Sequence, residues 1–342
     1  MRALGRARGV KIQVVVIHEG AAAGQNAVDG QTAVPWTGPI IGIVNALQDT
    51  TIDLVVAGHT HRPANTVVGR IPVVEGFNAG VSYSVAQLMV DHGDVQWAGT
   101  ATRTAKSLGV PSRPDVKAIV DKADADTLGP RSRVIGSASI DIRCDGNRIL
   151  ESAMGNLVAD AMLDKYEEAD AALTNSGGLR ADIFRSPPSA GEQVGQITFG
   201  EMYAVLPFGN ATVIETLTYA QLVAAFVNGF KPPCGDTAGG TGRTPQFSGL
   251  QVQVHCSGIT PVIDNIWLTP DGVNGPKTLL GPGSSIRIVT NDFMFTGGDG
   301  YTAFTGGTNV FRTGDLLLDV AIAYITANSP VAPKIDGRRI GP

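Results

Sequence analysis

Cysteine is scarce: Cys144, Cys234 and Cys256 are the three in 342 residues. That excludes a small disulfide-held scaffold. Cys234 and Cys256 can pair in an oxidising compartment, leaving Cys144 odd, or all three can be buried thiols; composition leaves both open. Aromatic residues supply only 6% of the chain. No apolar run approaches the roughly 18 residues of a membrane-spanning helix, so no transmembrane segment is expected. Positive charge is not in excess either, with 26 Lys and Arg against 31 Asp and Glu and a net charge of −5. A general basic surface for nucleic acid is thereby excluded. What is plentiful is glycine (43) and proline (20), dispersed rather than repeated, with 43% hydrophobic residues. That composition fits a turn-rich globular chain, not a disordered or collagen-like one.

The length suits two domains. Residues 12–17 (Ile-Gln-Val-Val-Val-Ile) read as a strand buried on both faces, so the chain looks as if it begins mid-domain. Residues 38–48 carry Ile40, Ile41, Ile43, Val44 and Leu47 and predict a helix. Residues 52–57 are a second buried strand, ending in Gly58-His59-Thr60-His61, and short strands follow over 71–74 and 81–90. Strand, helix, strand is an α/β signature. Pro111, Pro114 and Pro130 flank a short polar helix over 115–122, so 111–133 reads as an interdomain linker and hinge after a first domain over 1–110. Residues 134–342 mix elements without strict alternation, which predicts an α+β domain. Met154, Leu157, Val158, Ala161 and Met162 share a helix face, and Thr198-Phe199-Gly200-Glu201 is a capping box. Strands are expected over 171–174 and 286–290, a half-buried strand where Leu250, Val252 and Val254 alternate with Gln251 and Gln253, and a closing helix over 316–325.

Three of the five histidines, His18, His59 and His61, each fall just past a hydrophobic strand, the edge where open α/β sheets build sites. Imidazole suits Zn, Mn or Fe. In an extended Gly-His-Thr-His, residues two apart point the same way, so both rings could face one site. This strand–His arrangement followed by Gly-His-Thr-His resembles the last two metal motifs of calcineurin-like metallophosphoesterases. The resemblance implies two divalent ions bridged by a hydroxide, with His18 and His59 on one and His61 on the other.

The second half resembles the substrate domain of the 5'-nucleotidase family, which includes UDP-sugar hydrolases and 2',3'-cyclic-nucleotide phosphodiesterases. The matching segments are 147–157, 175–180 (Asn-Ser-Gly-Gly-Leu-Arg), 206–210 (Leu-Pro-Phe-Gly-Asn), 247–250 and 297–301 (Gly-Gly-Asp-Gly-Tyr). By that resemblance Arg148 and Arg180 grip substrate phosphate, as a bidentate fork suits. Asn175 and Gly178 line the pocket, Phe208 and Phe293 sandwich the base, Asn210 contacts it and Asp299 accepts the ribose hydroxyls. Glycines 239–242 imitate a phosphate loop without its lysine ending. Residues 141–146 imitate a calcium loop but place Arg143 at a ligand position; neither is retained. His92 and His255 are left as surface or core residues.

The resemblance stops short at the N-terminal side. The family's Asp-x-His, bridging Asp and Asn-His-Glu/Asp segments have no counterpart in this sequence, so no catalytic residue is assigned. The expectation is a chain lacking the N-terminal half of its metallophosphoesterase domain, through a late start, a fragment or a disrupted gene, and inactive as written. Residues 1–110 are then expected to fold poorly alone and the second half independently. The resemblance implies a metal-dependent phosphohydrolase of nucleotide monoesters, exported to the periplasm, cell wall or cell surface. The alternatives are a non-catalytic nucleotide- or nucleoside-binding module, or within the enzymes a cyclic-nucleotide phosphodiesterase or UDP-sugar hydrolase.

Overall fold

The computed structural model describes residues 12–342 apart from 23, 26–33, 92–93, 106–108, 147, 187–191, 232–233 and 235–242. The basic segment 1–11, His92, Asn147 and glycines 239–242 therefore lie outside the described residues. The chain divides into two compact units, with the boundary between Ser112 and Arg113.

In the first unit, β1 (Val14–Val16), α1 (Pro39–Ala46), β2 (Leu54–Val56), β3 (Asn65–Val68), β4 (Ile71–Val74), β5 (Ser82–Asp91) and β6 (Asp94–Thr104) follow in order. Strands β1, β2 and β4 are parallel and β3 closes the sheet antiparallel, in the order β1-β2-β4-β3. Helix α1 opens on Pro39, where the missing N–H removes no helical bond. Ile40 and Val44, one turn apart, bury against Val55, Ile71 and Val73. Burial of β1 on both faces is not what the fold shows. Val14 is 44% and Val16 78% exposed, while Val15 packs on the core. As the end strand of the described sheet, β1 has cover on one side only. Strands β3 and β6 escape the sequence reading because each is too polar or too short for a hydrophobic period to stand out.

The second unit begins with α2 (Pro114–Arg131), β7 (Val134–Ser137), α3 (Ala153–Lys165), β8 (Ala171–Asn175), β9 (Gln196–Thr198), α4 (Phe199–Val205) and β10 (Ala211–Thr218). It continues with α5 (Tyr219–Gly229), β11 (Pro245–Ser248), β12 (Leu250–Ser257), β13 (Thr260–Leu268), β14 (Thr278–Leu279), β15 (Ser285–Asn291), α6 (Asp292–Phe295), β16 (Thr308–Leu316), α7 (Leu317–Asn328) and β17 (Arg339–Ile340). A five-stranded sheet, β11-β8-β15-β10-β16, runs through its centre, with β8 and β15 parallel. One face packs Met154, Leu157 and Val158 of α3 with Ala321 and Ile325 of α7 against Ala172, Ile214 and Val289. The other packs Leu222 and Phe226 of α5 against Leu173, Leu217 and Ile288, backed by Val252 and Ile266 of the sheet β14-β13-β12-β17.

Two expectations are corrected here. Helix α2 does not stop near residue 122 but runs 18 residues with none buried. Ion pairs Lys117–Asp121 and Lys122–Asp126, both 2.6 Å, sustain it without an apolar period. Pro130 falls in its last turn, where it removes the one bond that an N–H there would donate to the carbonyl four residues earlier. Strand β12 is not half-buried at its start, since Gln251 is only 6% exposed. Its amide donates to the Gly337 carbonyl at 2.8 Å, which satisfies it inside the fold. Of the two cysteine arrangements left open, Cys234 and Cys256 form a disulfide. Cys144 stays free, donates to Asp182 Oδ1 at 3.1 Å, and its thiol is pushed up to about 11 by burial and then Asp182. The capping box at Thr198 and Glu201 closes as the sequence predicts, and Thr218 with Gln221 closes a second.

Glu215 on β10 is the costly residue of this core. It is fully buried, and neither carboxylate oxygen has a hydrogen-bond partner among the described residues. Gly307 makes the room, since a Cβ there would overlap Glu215 Oε2. Burial pushes the carboxyl from its ordinary 4.5 up to about 8. Between those values the folded chain holds a proton that the unfolded chain releases, so stability falls as pH rises through that window and levels off above it. Glu215→Gln should remove the slope and raise stability at pH 8 by about 2–4 kcal/mol. Urea unfolding at several pH values checks this; parallel pH profiles for the two proteins would contradict it.

Candidate functional site

The parallel strands β8 and β15 bring the second unit's polar residues to one edge, because their carboxyl ends lie side by side. Strand β8 ends at Asn175 and β15 at Asn291. Asn291 Nδ2 donates to Thr174 Oγ1 and Asn175 Oδ1, both at 3.0 Å. Its Oδ1 accepts from the Met294 N–H at 2.9 Å, capping α6. With its oxygen occupied, Asn175 turns its Nδ2 to Asp299 Oδ2 at 2.9 Å. Asp299 sits at φ 53°, between Gly297 and Gly300 at φ 88° and 79°, so the chain makes a left-handed turn there. Asn228 Nδ2 at 3.1 Å and Arg243 Nη1 at 3.2 Å donate to the Asp299 carbonyl and hold that turn.

Gly177 lies at the centre. A Cβ on it would stand 3.0 Å from Asp299 Oδ2, 3.2 Å from Asn175 Nδ2 and 3.6 Å from Arg148 Nη1. The missing side chain lets a guanidinium, an amide and a carboxylate close tightly around the Gly177 backbone. Arg148 is lowered from its ordinary value by burial and then by the nearby charge of Arg180, with Asp299 opposing. Its guanidinium makes no hydrogen bond to another described residue, so two cations face one carboxylate and an anion would relieve both burial and repulsion. Arg180 donates to the Gly177 carbonyl at 3.3 Å and stands over the Phe208 ring, 5.7 Å from its centroid.

Phe208 is 60% and Phe293 41% exposed, unusual for rings on ordered turns. Asn210 Nδ2 donates to Asp292 Oδ1 at 2.7 Å, which ties the Phe208 turn to α6, and the Phe293 ring lies against Gly298. Gly178, Phe208, Asn210 and Asn291 line one small cleft. Of the residues singled out in the sequence, Arg148, Asn175, Arg180 and Asp299 therefore meet around Gly177. Gly178, Phe208 and Asn210 share a cleft beside it, and Phe293 is joined through its neighbour Asp292. Asn291, Asn228 and Arg243, which hold these groups, were not singled out; a polar pair, Asn291-Asp292, directly after a buried strand is the signal for the first.

In the first unit, His18 and His59 come together at the ends of β1 and β2. His59 Nδ1 is 3.1 Å from His18 Nε2, and the rings cross at 60°. The extended geometry expected of Gly-His-Thr-His does not occur: His59 and His61 adopt φ 74° and 56°. Left-handed turns replace the strand alternation, so His61 is not carried to the same side by a period of two. Among the described residues, no three His, Cys, Asp or Glu side chains gather as a metal-binding group. His18 and His59, expected on one ion, are thus brought together, and among the described residues no third such side chain joins them. Two nitrogens each about 2.1 Å from one ion at tetrahedral to right angles stand about 3.0–3.4 Å apart, so the His18–His59 pair fits two ligands of a single ion. The remaining candidates are structural: His255 binds Asp264 at 2.8 Å on the β12–β13 surface, and Asp141 pairs with Arg143 rather than a cation.

A family model described as the 5'-nucleotidase C-terminal domain matches residues 134–306, half of the chain and all of the residues clustered around Gly177. The chain belongs to that family. Among curated relatives, the trifunctional nucleotide phosphoesterase YfkN of Bacillus subtilis is 28% identical over 84% of this chain and 20% of its own length. The cell wall protein Lmo0130 of Listeria monocytogenes is 28% identical over 98% of this chain and 44% of its own length. The chain thus spans less than half the length of either. A snake venom 5'-nucleotidase from Macrovipera lebetinus is 26% identical over 84% of this chain and 76% of its own. Among solved structures, a 5'-nucleotidase precursor from Thermus thermophilus superposes with a TM-score of 0.63 at 24% identity, over 85% of this chain and 59% of that one. The 5'-nucleotidase fold, an α/β metallophosphoesterase portion followed by an α+β C-terminal domain, is therefore the fold of this chain. No helix among the described residues is long and apolar enough to cross a membrane.

Asn291 spends its whole amide on three partners inside the fold. Asn291→Ala should cost about 2–4 kcal/mol, from an orphaned Asn175 oxygen and a lost helix cap. Denaturant unfolding of the full chain measures it, and a loss below about 1 kcal/mol would mean the network is not what orders this edge.

Proposed function

We propose that the second unit binds a nucleotide, phosphate towards Arg148 and Arg180 and base between Phe208 and Phe293, for a metal-dependent phosphomonoester hydrolase of the 5'-nucleotidase kind. The observation that carries the reading is the cluster at Gly177, where the Arg148 and Arg180 guanidiniums converge on the Asp299 carboxylate and Arg148 makes no hydrogen bond to another described residue. Phosphate suits the paired guanidiniums, being planar forks with several donors. Asp299, held at a fixed left-handed turn, accepts the two ribose hydroxyls, while Asn175 and Gly178 form the floor. Two exposed rings stack on any base through its flat face, so base preference is loose, and Asn210 supplies a polar contact at the edge. His18 and His59 would hold one divalent ion, with His61 on a second. Such ions polarise the phosphoryl oxygens and lower the pKa of bound water.

A secreted or cell-wall setting is part of the same reading. It is supported by the Cys234–Cys256 disulfide and by relatives named as a cell wall protein and as venom enzymes. A second reading, a nucleotide-binding module without catalysis, is favoured by one observation: two imidazoles, not a full ligand set, come together among the described residues. Phosphate release from AMP that a chelator abolishes and Mn or Zn restores decides for the hydrolase; saturable binding with no release under any metal decides for the module.

Calorimetry of the full chain with AMP and with adenosine tests the roles. Arg148→Met should weaken AMP by about 1.5–3 kcal/mol and leave adenosine unchanged, because only the charged hydrogen bonds are lost. Phe293→Ala should weaken both by about 1–3 kcal/mol through lost stacking. Equal losses of AMP and adenosine in Arg148→Met would remove that arginine from the phosphate.

A further inference from the structure

Glu75 follows β4, the strand between β2 and β3, and is 1% exposed. A buried carboxylate needs donors, and this one takes them from two separate loops. Oε2 accepts from the Ala21 N–H at 3.1 Å, on the loop that carries His18. Oε1 accepts from Thr60 Oγ1 at 2.8 Å and from the Arg62 N–H at 3.4 Å, on the loop that carries His59 and His61. A backbone bond from the Gly58 N–H to the Glu19 carbonyl, 3.1 Å, lies beside it. Gly20 occupies the junction, where a Cβ would clash with the Gly58 carbonyl, Thr60 Oγ1 and Glu75 Oε2. Three sheet ends thus converge on one carboxylate, and the two loops it joins are those whose histidines meet at 3.1 Å. His59 and His61 both keep a left-handed backbone that residues with side chains disfavour, so that loop needs an external tie.

We propose that Glu75 is a positioning residue that clamps the His18 and His59 loops together and so presets the imidazole pair for one divalent cation. The metal part rests on the ligand role proposed for these histidines. The chemistry asks for a carboxylate: both oxygens accept, each from a different loop. An amide would turn its NH2 towards either the Ala21 or the Arg62 N–H, donor against donor, and release one loop.

The test uses the full chain with labelled histidine, first without metal. The wild type gives a cross-relaxation signal between the His18 and His59 rings, and Glu75→Gln loses it while the rest of the spectrum stays folded. Zinc titration then follows the same resonances, with affinity about 10–100-fold weaker in Glu75→Gln, the usual effect of removing an outer-shell partner. Should Glu75→Gln fail to fold, Thr60→Val removes one donor only and is expected to shift both readouts the same way by less. A folded variant that keeps the ring signal and the zinc affinity overturns the proposal. A ring signal that depends on Glu75 in a wild type that takes up no zinc supports the clamp and overturns the metal role of the pair.

Discussion

Two side-chain hydrogen bonds, from the Asn291 amide to Thr174 and to Asn175, join the ends of the two parallel strands at the centre of the second unit. Because the Asn291 amide is also spent on Thr174 and on the cap of α6, neither asparagine can rotate without leaving a buried polar group unpaired. Asn175 is thereby left its amide nitrogen, one N–H of which meets Asp299. The turn bearing Asp299, the helix bearing Phe293 and the cluster at Gly177 are all oriented by that choice. Packing explains why it holds. Hydrophobic layers cover both faces of the five-stranded sheet, so the strand ends cannot slide against each other.

The first unit is governed by the opposite circumstance. Its sheet is short, its end strand β1 leaves Val14 and Val16 open, and its polar loops are not fixed by deep packing. Order there comes from a buried polar side chain. Glu75 gathers donors from two loops, and Gly20 permits the approach. Glu215 in the second unit has no such donors: no partner among the described residues reaches its carboxyl, which burial pushes up to about 8. The two buried glutamates therefore differ in whether backbone N–H groups reach them.

Much of this is legible in the sequence where the signal is local. Strand β2 is an uninterrupted apolar run, β8 opens on one and β15 carries Ile286, Ile288 and Val289, and the capping box at Thr198 depends on four adjacent residues. The motifs around Arg148, Asn175, Phe208 and Asp299 can be read because each is contiguous. What cannot be read is set by distance or by backbone sign. The Glu75 clamp joins residues 54 positions apart. Asn228 and Arg243 reach the Asp299 carbonyl from a helix and a loop with no motif of their own. The left-handed turns at His59 and His61 break the two-residue period that an extended Gly-His-Thr-His would obey. Helix α2 is missed beyond residue 122 because ion pairs, not apolar spacing, support it.

The central claim is that one edge of the second unit, fixed by the two asparagines, receives a nucleotide. Hydrogen–deuterium exchange of the full chain with and without AMP tests it most directly. The account predicts slowed exchange over 175–180, 206–210 and 291–301, with β12, β13 and the surface around His255 unchanged. Unchanged exchange over those three segments at saturating AMP, or protection confined to other parts of the chain, would contradict it.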